Sequence, residues 1–502
     1  MSTIQISNLT FGYDSSPQIL FEDLNLTLDT DWKLGLVGRN GKGKSTFLRL
    51  LAGQEAFSGF IQAQVEFEYY PPRLSDLDQL PIEVFHTLCP FQEDWELLSE
   101  LNQLDPKLVS EVCSRPFSSF SQGEQGKFLM ASLFCKPQTF LLLDEPETSL
   151  DYEGRKALVK YLKGKQGFIL VSHDRFILDE LVDHILYLEE EEMSLQVGNY
   201  SSWKINQEAK VQGLLQKNEQ LHREIERLKQ ASDQTKNWAQ KAEKQKKQAF
   251  RHKNQAKEFI DRGFQGHKAA KVMKRSKSLQ KRQEKALEEK KDLLKIVETQ
   301  EEIKMPVLAC PYRTLISLEK VQVVYEEKEH SLVPLTPISF SLHPKDCLAL
   351  HGLNGAGKSS ILKAIQGLLP YQGTITKPER LICSIVQQDV SDLKGSFQDF
   401  VQAKQIDPTL FMTVLRKLGF ERQTFEQDLS TLSLGQKKKV AIAASLCQPA
   451  HLYIWDEPLS HLDPMSRQQI EEMIVQSEAT ILCVEHDERF LQAIQAQILE
   501  VR

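Results

Sequence analysis

Short, nearly unbroken apolar runs recur in both halves of the chain. KLGLVG ends at Gly38 and CLALHG at Gly352; FLLL leads into Asp144 and LYIW into Asp456; FILV precedes Ser172 and TILCV precedes Glu485. Continuous apolar runs of strand length predict strands covered on both faces, as in a parallel sheet. TFLRLLAG after Ser45 and SILKAIQG after Ser359 follow the first pair of runs, so each context reads strand, glycine turn, helix. The pattern between the halves is different. Val211, Leu214, Leu221, Ile225 and Leu228 fall on an a/d heptad with Asn218 at the intervening a position, and Val272, Leu279, Ala286 and Leu293 recur every seven residues, widened by Leu287 and Leu294. FIDRGFQGHKAA, with Gly263 and Gly266, interrupts them, which predicts an antiparallel helical hairpin.

At 502 residues the chain exceeds what one core usually supports, so two or more domains are expected. The balance of 41% hydrophobic to 26% charged residues is that of a globular protein and excludes global disorder. No apolar run approaches the roughly 18–20 residues that cross a bilayer. The start, MSTIQISNLTF, lacks the basic and apolar parts of a secretion signal. The eight cysteines are scattered without a CxxC pair, the pattern of reduced thiols rather than disulfides or a zinc site. A cytoplasmic protein with no membrane span is therefore expected.

Four strings return in order at a nearly fixed distance. GRNGKGKS at Gly38–Ser45 recurs as GLNGAGKS at Gly352–Ser359, 314 residues on; SQGEQ at Ser121 recurs as SLGQK at Ser433, 312 on. The Asp-Glu-Pro at Glu145 recurs at Glu457, 312 on, and the His-Asp at His173 recurs at His486, 313 on. One such match could arise by chance; an ordered set of four marks a duplicated domain. GxxxxGK[ST] after a strand and before a helix is a phosphate-binding loop, in which backbone N–H groups and a helix N-terminus converge on phosphate. It assigns ATP contacts to Gly38, Asn40, Gly41, Gly43, Lys44, Ser45 and Thr46, and to Gly352, Asn354, Gly355, Gly357, Lys358, Ser359 and Ser360. The lysines reach the β and γ phosphates, and Ser45 and Ser359 hold Mg²⁺. Asp144 and Asp456, delivered at strand ends, join the Mg²⁺ shell; Glu145 and Glu457 orient or activate the attacking water; His173 and His486 face the γ-phosphate.

This order of motifs resembles the ATP-binding cassette superfamily in both halves. The resemblance implies two tandem α/β ABC-type P-loop nucleotide-binding domains, at 1–203 and 306–502, joined by a helical hairpin linker at 204–305. It also implies that each signature motif completes the opposite site. Ser433 and Gly435 would cap ATP at Gly38–Ser45, and Ser121 and Gly123 would cap ATP at Gly352–Ser359. Tyr13 and Tyr325 match the aromatic that stacks on adenine, and Gln388 the Q-loop glutamine that contacts ATP and metal. The chain departs from the family pattern at Gln122 and Leu434, which replace the first signature glycine, at Pro72 in the first Q-loop, and in DEPETSLD. These changes lead us to expect slower turnover at the site containing Lys44.

The net charge of −7 hides an asymmetry. Residues 204–305 hold 27 Lys and Arg against 15 Asp and Glu, leaving 35 against 54 elsewhere, so two acidic bodies flank a basic connector. Positive charge beside exposed aromatics points to RNA, held through phosphates and stacked bases. The residues placed there are Arg251, Lys253, Phe259, Arg262, Phe264, His267, Lys268, Lys271, Lys274 and Arg275. Twin cassettes with a basic helical linker resemble the ABC-F translation factors, and TDWKLGLVGRNGKGKST, AAKVMKRSK and IWDEPLSHLD resemble its Lsa-type antibiotic-resistance group. Ser121 follows Pro72 by only 49 positions, which leaves no room for the extra arm hairpin some members carry. The resemblance implies an ATPase, a monomer closed by an intramolecular ATP sandwich, that binds the 70S ribosome in its ATP form. The linker tip would meet 23S rRNA and, as a second candidate, P-site tRNA, and would dislodge lincosamides, pleuromutilins or streptogramin A from the peptidyl-transferase centre. The alternatives are a housekeeping ABC-F factor for stalled ribosomes and the ATPase subunit of an exporter.

Overall fold

The computed structural model describes residues 2–13, 19–74, 76–188, 193–253, 304–324, 336–353 and 355–501. Residues 1–203 and 301–502 form one compact unit, and residues 204–300 a second.

Each half of the first unit is built on a parallel sheet. In the first half the order across the sheet is Glu66–Tyr70, Thr139–Asp144, Phe168–Val171, Lys33–Gly38, His184–Leu188, with Met193–Val197 antiparallel at the edge. In the second half the order is Cys383–Val386, Leu452–Asp456, Ile481–Val484, Cys347–His351, Gln497–Glu500, all parallel. The apolar runs are therefore strands, and their lack of alternation has a visible cause. Leu141 and Leu143 pack on the helical side of the sheet, while Phe140 and Leu142 pack on the other, under a three-stranded antiparallel sheet. Tyr453 and Trp455 against Leu452 and Ile454 repeat the arrangement. Burying one such side chain is worth about 1.5–3 kcal/mol, so both faces select apolar residues.

The helix Lys44–Leu51 follows the first phosphate loop and buries Phe47, Leu48, Leu50 and Leu51; Lys358–Gln366 does so in the second half with Ile361, Leu362, Ala364 and Ile365. Gly43 and Gly357 cap these helices at φ 92° and 81°, the left-handed region a side chain resists. On the opposite face lie Pro81–Leu88, Asp94–Leu104 and Gln122–Phe134, matched by Phe397–Lys404, Pro408–Lys417 and Leu434–Cys447.

The linker opens with one helix, Tyr200–Lys253. Its first turn is anchored by aromatic packing: Trp203 lies 4.9 Å from Tyr187 and 5.4 Å from Tyr200, ring centre to ring centre. Along the expected seam Ile225 is buried and Leu214 and Leu221 are half-buried, but Val211 is exposed. The buried part of the stripe therefore starts beyond Val211. The second heptad run and the glycine break lie outside the described residues, and with them the hairpin. All eight cysteines are free: four are buried, three half-buried, and Cys113 is exposed.

Candidate nucleotide sites

The C-terminal ends of the phosphate-loop strand and its neighbours bring the repeated motifs together, at the edge where open α/β sheets bind ligands. In the first half Lys44 is buried, and its Nζ donates to the carbonyl oxygens of Gly38 at 2.8 Å and Arg39 at 3.1 Å. Burial pushes its ammonium down to about 8, against the pull of Asp463, Glu145 and Asp144. Ser45 hydrogen-bonds Asp144, whose Oδ2 also accepts from the Tyr69 hydroxyl at 2.6 Å. The Asp144 Oδ1 is buried and has no hydrogen-bond partner among the described residues. In the second half Lys358 donates to Gly352 and Leu353, each at 2.9 Å, and Ser359 Oγ donates to Asp456 Oδ1 at 2.9 Å. Burial raises both Asp144 and Asp456.

The carboxylates one residue on sit at positive φ, 48° for Glu145 and 45° for Glu457. Glu145 lies 3.0 Å from His173 Nε2. Burial opposes its charge, but the hydrogen bond and charge of His173, with His461 and Lys44, bring it down to about 2. His486 is held differently. It is buried, neither ring nitrogen has a hydrogen-bond partner among the described residues, and burial with the Lys358 and Arg155 charges pushes it down to about 3. Its ring is 6.1 Å from that of His351, which meets Tyr152 of the first half edge-on at 5.6 Å.

The two halves meet at these motifs. Asn40 Nδ2 in the first phosphate loop donates to the His461 carbonyl of the second half at 2.8 Å. A Cβ built on Gly435 would lie 2.7 Å from that Asn40 nitrogen and 2.6 Å from His461 O. The helix start at Gly435 thus stands against the first phosphate loop. Lys42 adds an ion pair to Glu421 at 2.5 Å. In the reverse direction, Asp151 of the first half lies close enough to pull on the charge of Lys358.

Several expected residues take roles beyond those expected. Ser121 and Ser433 cap the signature helices: Ser121 Oγ accepts from Glu124 N at 3.3 Å, and Ser433 Oγ from Gln436 N at 3.2 Å. Gly123 faces its own Ser149 carbonyl, 3.0 Å from a built Cβ. Tyr13 is exposed, and its hydroxyl pairs with Thr46 Oγ1 at 2.8 Å. Gln388 is exposed, its carbonyl taking a hydrogen bond from Lys438 Nζ at 3.0 Å. Tyr325, Asn354, Phe259, Arg262, Phe264, His267, Lys268, Lys271, Lys274 and Arg275 lie outside the described residues, as do the side chains of Arg251 and Lys253.

Sequence reading missed Tyr69 on Asp144, Lys438 beneath the second site, and a buried ion-pair group between the halves. Lys438 Nζ donates to Gln387 O at 2.9 Å and Gln388 O at 3.0 Å. Arg175 pairs with Glu471 and lies 3.5 Å from Asp487, which in turn pairs with Arg467 at 3.0 Å. Asp463, at the end of the crossing loop, accepts from Lys439 at 2.7 Å and is held well below the usual carboxylate range, burial notwithstanding. The acidic residue closing each repeated DEPxxxLD string was a usable signal. The Arg467–Asp487 pair also repeats, as Arg155–Asp174 at 3.0 Å in the first half, whereas Tyr69, Lys438, Arg175 and Glu471 occupy positions that differ between the halves.

A family model described as ABC transporter matches residues 21–148 and 335–460. The chain is 27% identical to ribosome protection protein VmlR of Bacillus subtilis, over 96% of this chain and 84% of that protein. It is 25% identical to ABC transporter F family member 2 of Arabidopsis thaliana, over the full chain and 76% of that protein. Among solved structures it resembles the archaeal ribosome recycling factor aABCE1, seen in complex with the stalk protein aP1, with a TM-score of 0.61 and 19% identity over 98% of this chain and 87% of that one. That last likeness concerns the fold. With the family model matched on both phosphate loops and both Asp-Glu strands, the chain belongs to the ABC transporter family, as an ATPase with two ATP-binding cassettes in the arrangement of its F-type members.

Proposed function

We propose that this ATPase binds the ribosome in its ATP-loaded form and protects it from antibiotics at the peptidyl-transferase centre. The observation that carries the reading is that its likeness to a ribosome protection protein runs over 96% of the chain, so it spans the basic linker as well as the cassettes. The linker's excess of positive charge suits an RNA polyanion. Among the described residues no helix is long and apolar enough to cross a membrane, which disfavours a transmembrane segment within the described part of the chain.

In this reading the protein is a cytoplasmic monomer. One ATP lies between Gly38–Thr46 and the Ser433/Gly435 signature, the other between Gly352–Ser360 and the Ser121/Gly123 signature, with Tyr13 and Tyr325 on the adenines. The partnerless Asp144 Oδ1 and the Ser359–Asp456 pair are hard oxygen donors of the kind Mg²⁺ takes, so the residues fit the ion. Mg²⁺ would be held by Ser45 and Asp144, and by Ser359, Asp456 and Gln388, where it neutralises phosphate charge. Glu145 and Glu457 accept a hydrogen bond from the attacking water and orient it; His173 and His486 donate to the γ-phosphate. Hydrolysis removes the group both halves grip, and the protein releases. Lincosamides, pleuromutilins and streptogramin A are the drug classes assigned to it. The linker tip, Phe259 to Arg275, with Arg251 and Lys253 behind it, supplies the RNA contacts.

The test is ribosome pelleting of the Glu145→Gln, Glu457→Gln double variant with ATP. Folded protein that stays in the supernatant refutes ribosome binding. Deleting the gene and measuring drug susceptibility separates protection from a second reading, a housekeeping F-type factor. Unchanged sensitivity would select that second reading.

A further inference from the structure

In each cassette the Asp-Glu strand and the histidine strand run side by side and then part. Their ladders end at Asp144 against Val171 and at Asp456 against Val484. One more backbone bond follows in each, from Glu145 N to Val171 O and from Glu457 N to Val484 O, both 2.9 Å. Beyond it one chain turns toward the loop that crosses to the other cassette, while the other enters the helix behind the histidine. Amide groups stranded at such a buried fork need acceptors.

The two cassettes supply the acceptor from opposite sides. In the first, Glu147 lies on the crossing-loop chain, and its Oε1 accepts from Ser172 Oγ at 2.6 Å and from His173 N at 2.9 Å. The repeat offset places Leu459 where Glu147 stands and Glu485 where Ser172 stands. In the second cassette Glu485, on the histidine chain, accepts from His486 N at 2.8 Å through Oε1 and from Leu459 N at 3.1 Å through Oε2. The glutamate has changed strands, yet both histidine amides end on a carboxylate oxygen and both forks are cross-linked. Glu147 and Glu485 are only 6% and 5% exposed, and neither is among the residues that recur between the halves.

We propose that Glu147 and Glu485 are positioning residues that fix His173 and His486 against the crossing loops, performing one task from exchangeable positions on the two strands. The crossing loops lead within a few residues to Asp151 and to His461–Asp463, which reach the opposite site. One carboxylate therefore sets the histidine of its own site relative to the loop serving the other. Small displacements at this point matter, because a shift of about 1 Å in a catalytic arrangement can cost on the order of a hundredfold in rate.

The experiment measures steady-state ATPase kcat and KM in the full chain, with Glu457→Gln present so that the first site is read. Glu147→Leu is expected to lower kcat about tenfold or more while KM for ATP changes less than about threefold. Adding Ser172→Glu, which copies the second cassette's arrangement, is expected to restore kcat to within about threefold. Glu147→Gln, which keeps the acceptor oxygen, should retain kcat to the same degree. The reciprocal pair, Glu485→Ser and then Leu459→Glu with Glu485→Ser, is read in a Glu145→Gln background with the same expectation. An unchanged kcat in Glu147→Leu overturns the proposal. So does a Glu147→Leu, Ser172→Glu protein that fails to fold or stays as slow as Glu147→Leu, or a folded Glu147→Gln protein with a tenfold loss.

Discussion

Replacing Gly435 by alanine tests how the first nucleotide site is closed. The added methyl would stand 2.6 Å from His461 O and 2.7 Å from Asn40 Nδ2. A carbon rests against oxygen comfortably only beyond about 3.3 Å, so both groups must retreat by several tenths of an ångström. Neither is free to do so independently. Asn40 Nδ2 and His461 O are hydrogen-bonded to each other at 2.8 Å, and His461 already sits at φ 60°. Overpacking of this kind costs about 1–3 kcal/mol. Borne by the closed arrangement alone, at about 1.4 kcal/mol per decade, this lowers the closed-to-open ratio roughly 5- to 150-fold. We expect Gly435→Ala to lose ATPase kcat/KM in that range in a Glu457→Gln background. Gly213→Ala, on an open stretch of the linker helix, should lose nothing. A Gly435→Ala protein within twofold of its parent in kcat and KM would refute the packing argument.

Three further outcomes follow from the same geometry. Arg175→Met leaves Glu471 and Asp487 short of a cation and should destabilise the contact between halves by about 3–5 kcal/mol, seen as earlier proteolysis and a lower first thermal transition. Adding Glu471→Leu should recover most of it, and an equally unstable double variant would contradict the pairing. ATP affinity of the first site should be steady below pH 8 and fall by up to about tenfold per pH unit above it. Free Lys44, pushed down to about 8 by burial, loses there the proton that bound phosphate would hold, and titration calorimetry in an Asn354→Ala, Lys358→Ala background reads it. Finally, Glu457→Gln should remove most of the steady-state turnover and Glu145→Gln only a minor part, since Glu145 is tied to His173 while His486 has no such tie among the described residues; equal losses would show the sites to be equivalent.

What was legible in the sequence was whatever the fold repeats. A strand covered on both faces must be apolar throughout, and a phosphate loop must carry glycines at fixed places, so FLLL, LYIW and the two GxxxxGKS strings declared the sheets and the sites unaided. Whatever differs between the halves gave no such sign. The Tyr69–Asp144 bond, Lys438 under the Gln387 and Gln388 carbonyls, and the Arg175–Glu471 pair join residues far apart in the chain, and each occurs once among the described residues. Nothing local in the sequence marks Glu147 and Glu485, because only the tertiary register brings one carboxylate to the same fork from either strand. The sequence determined which chemistry the chain carries, since that chemistry needs particular residues at local spacings. The tertiary structure decided which residues of the two halves meet, since Asn40, His461 and Gly435 become neighbours only when two distant segments pack.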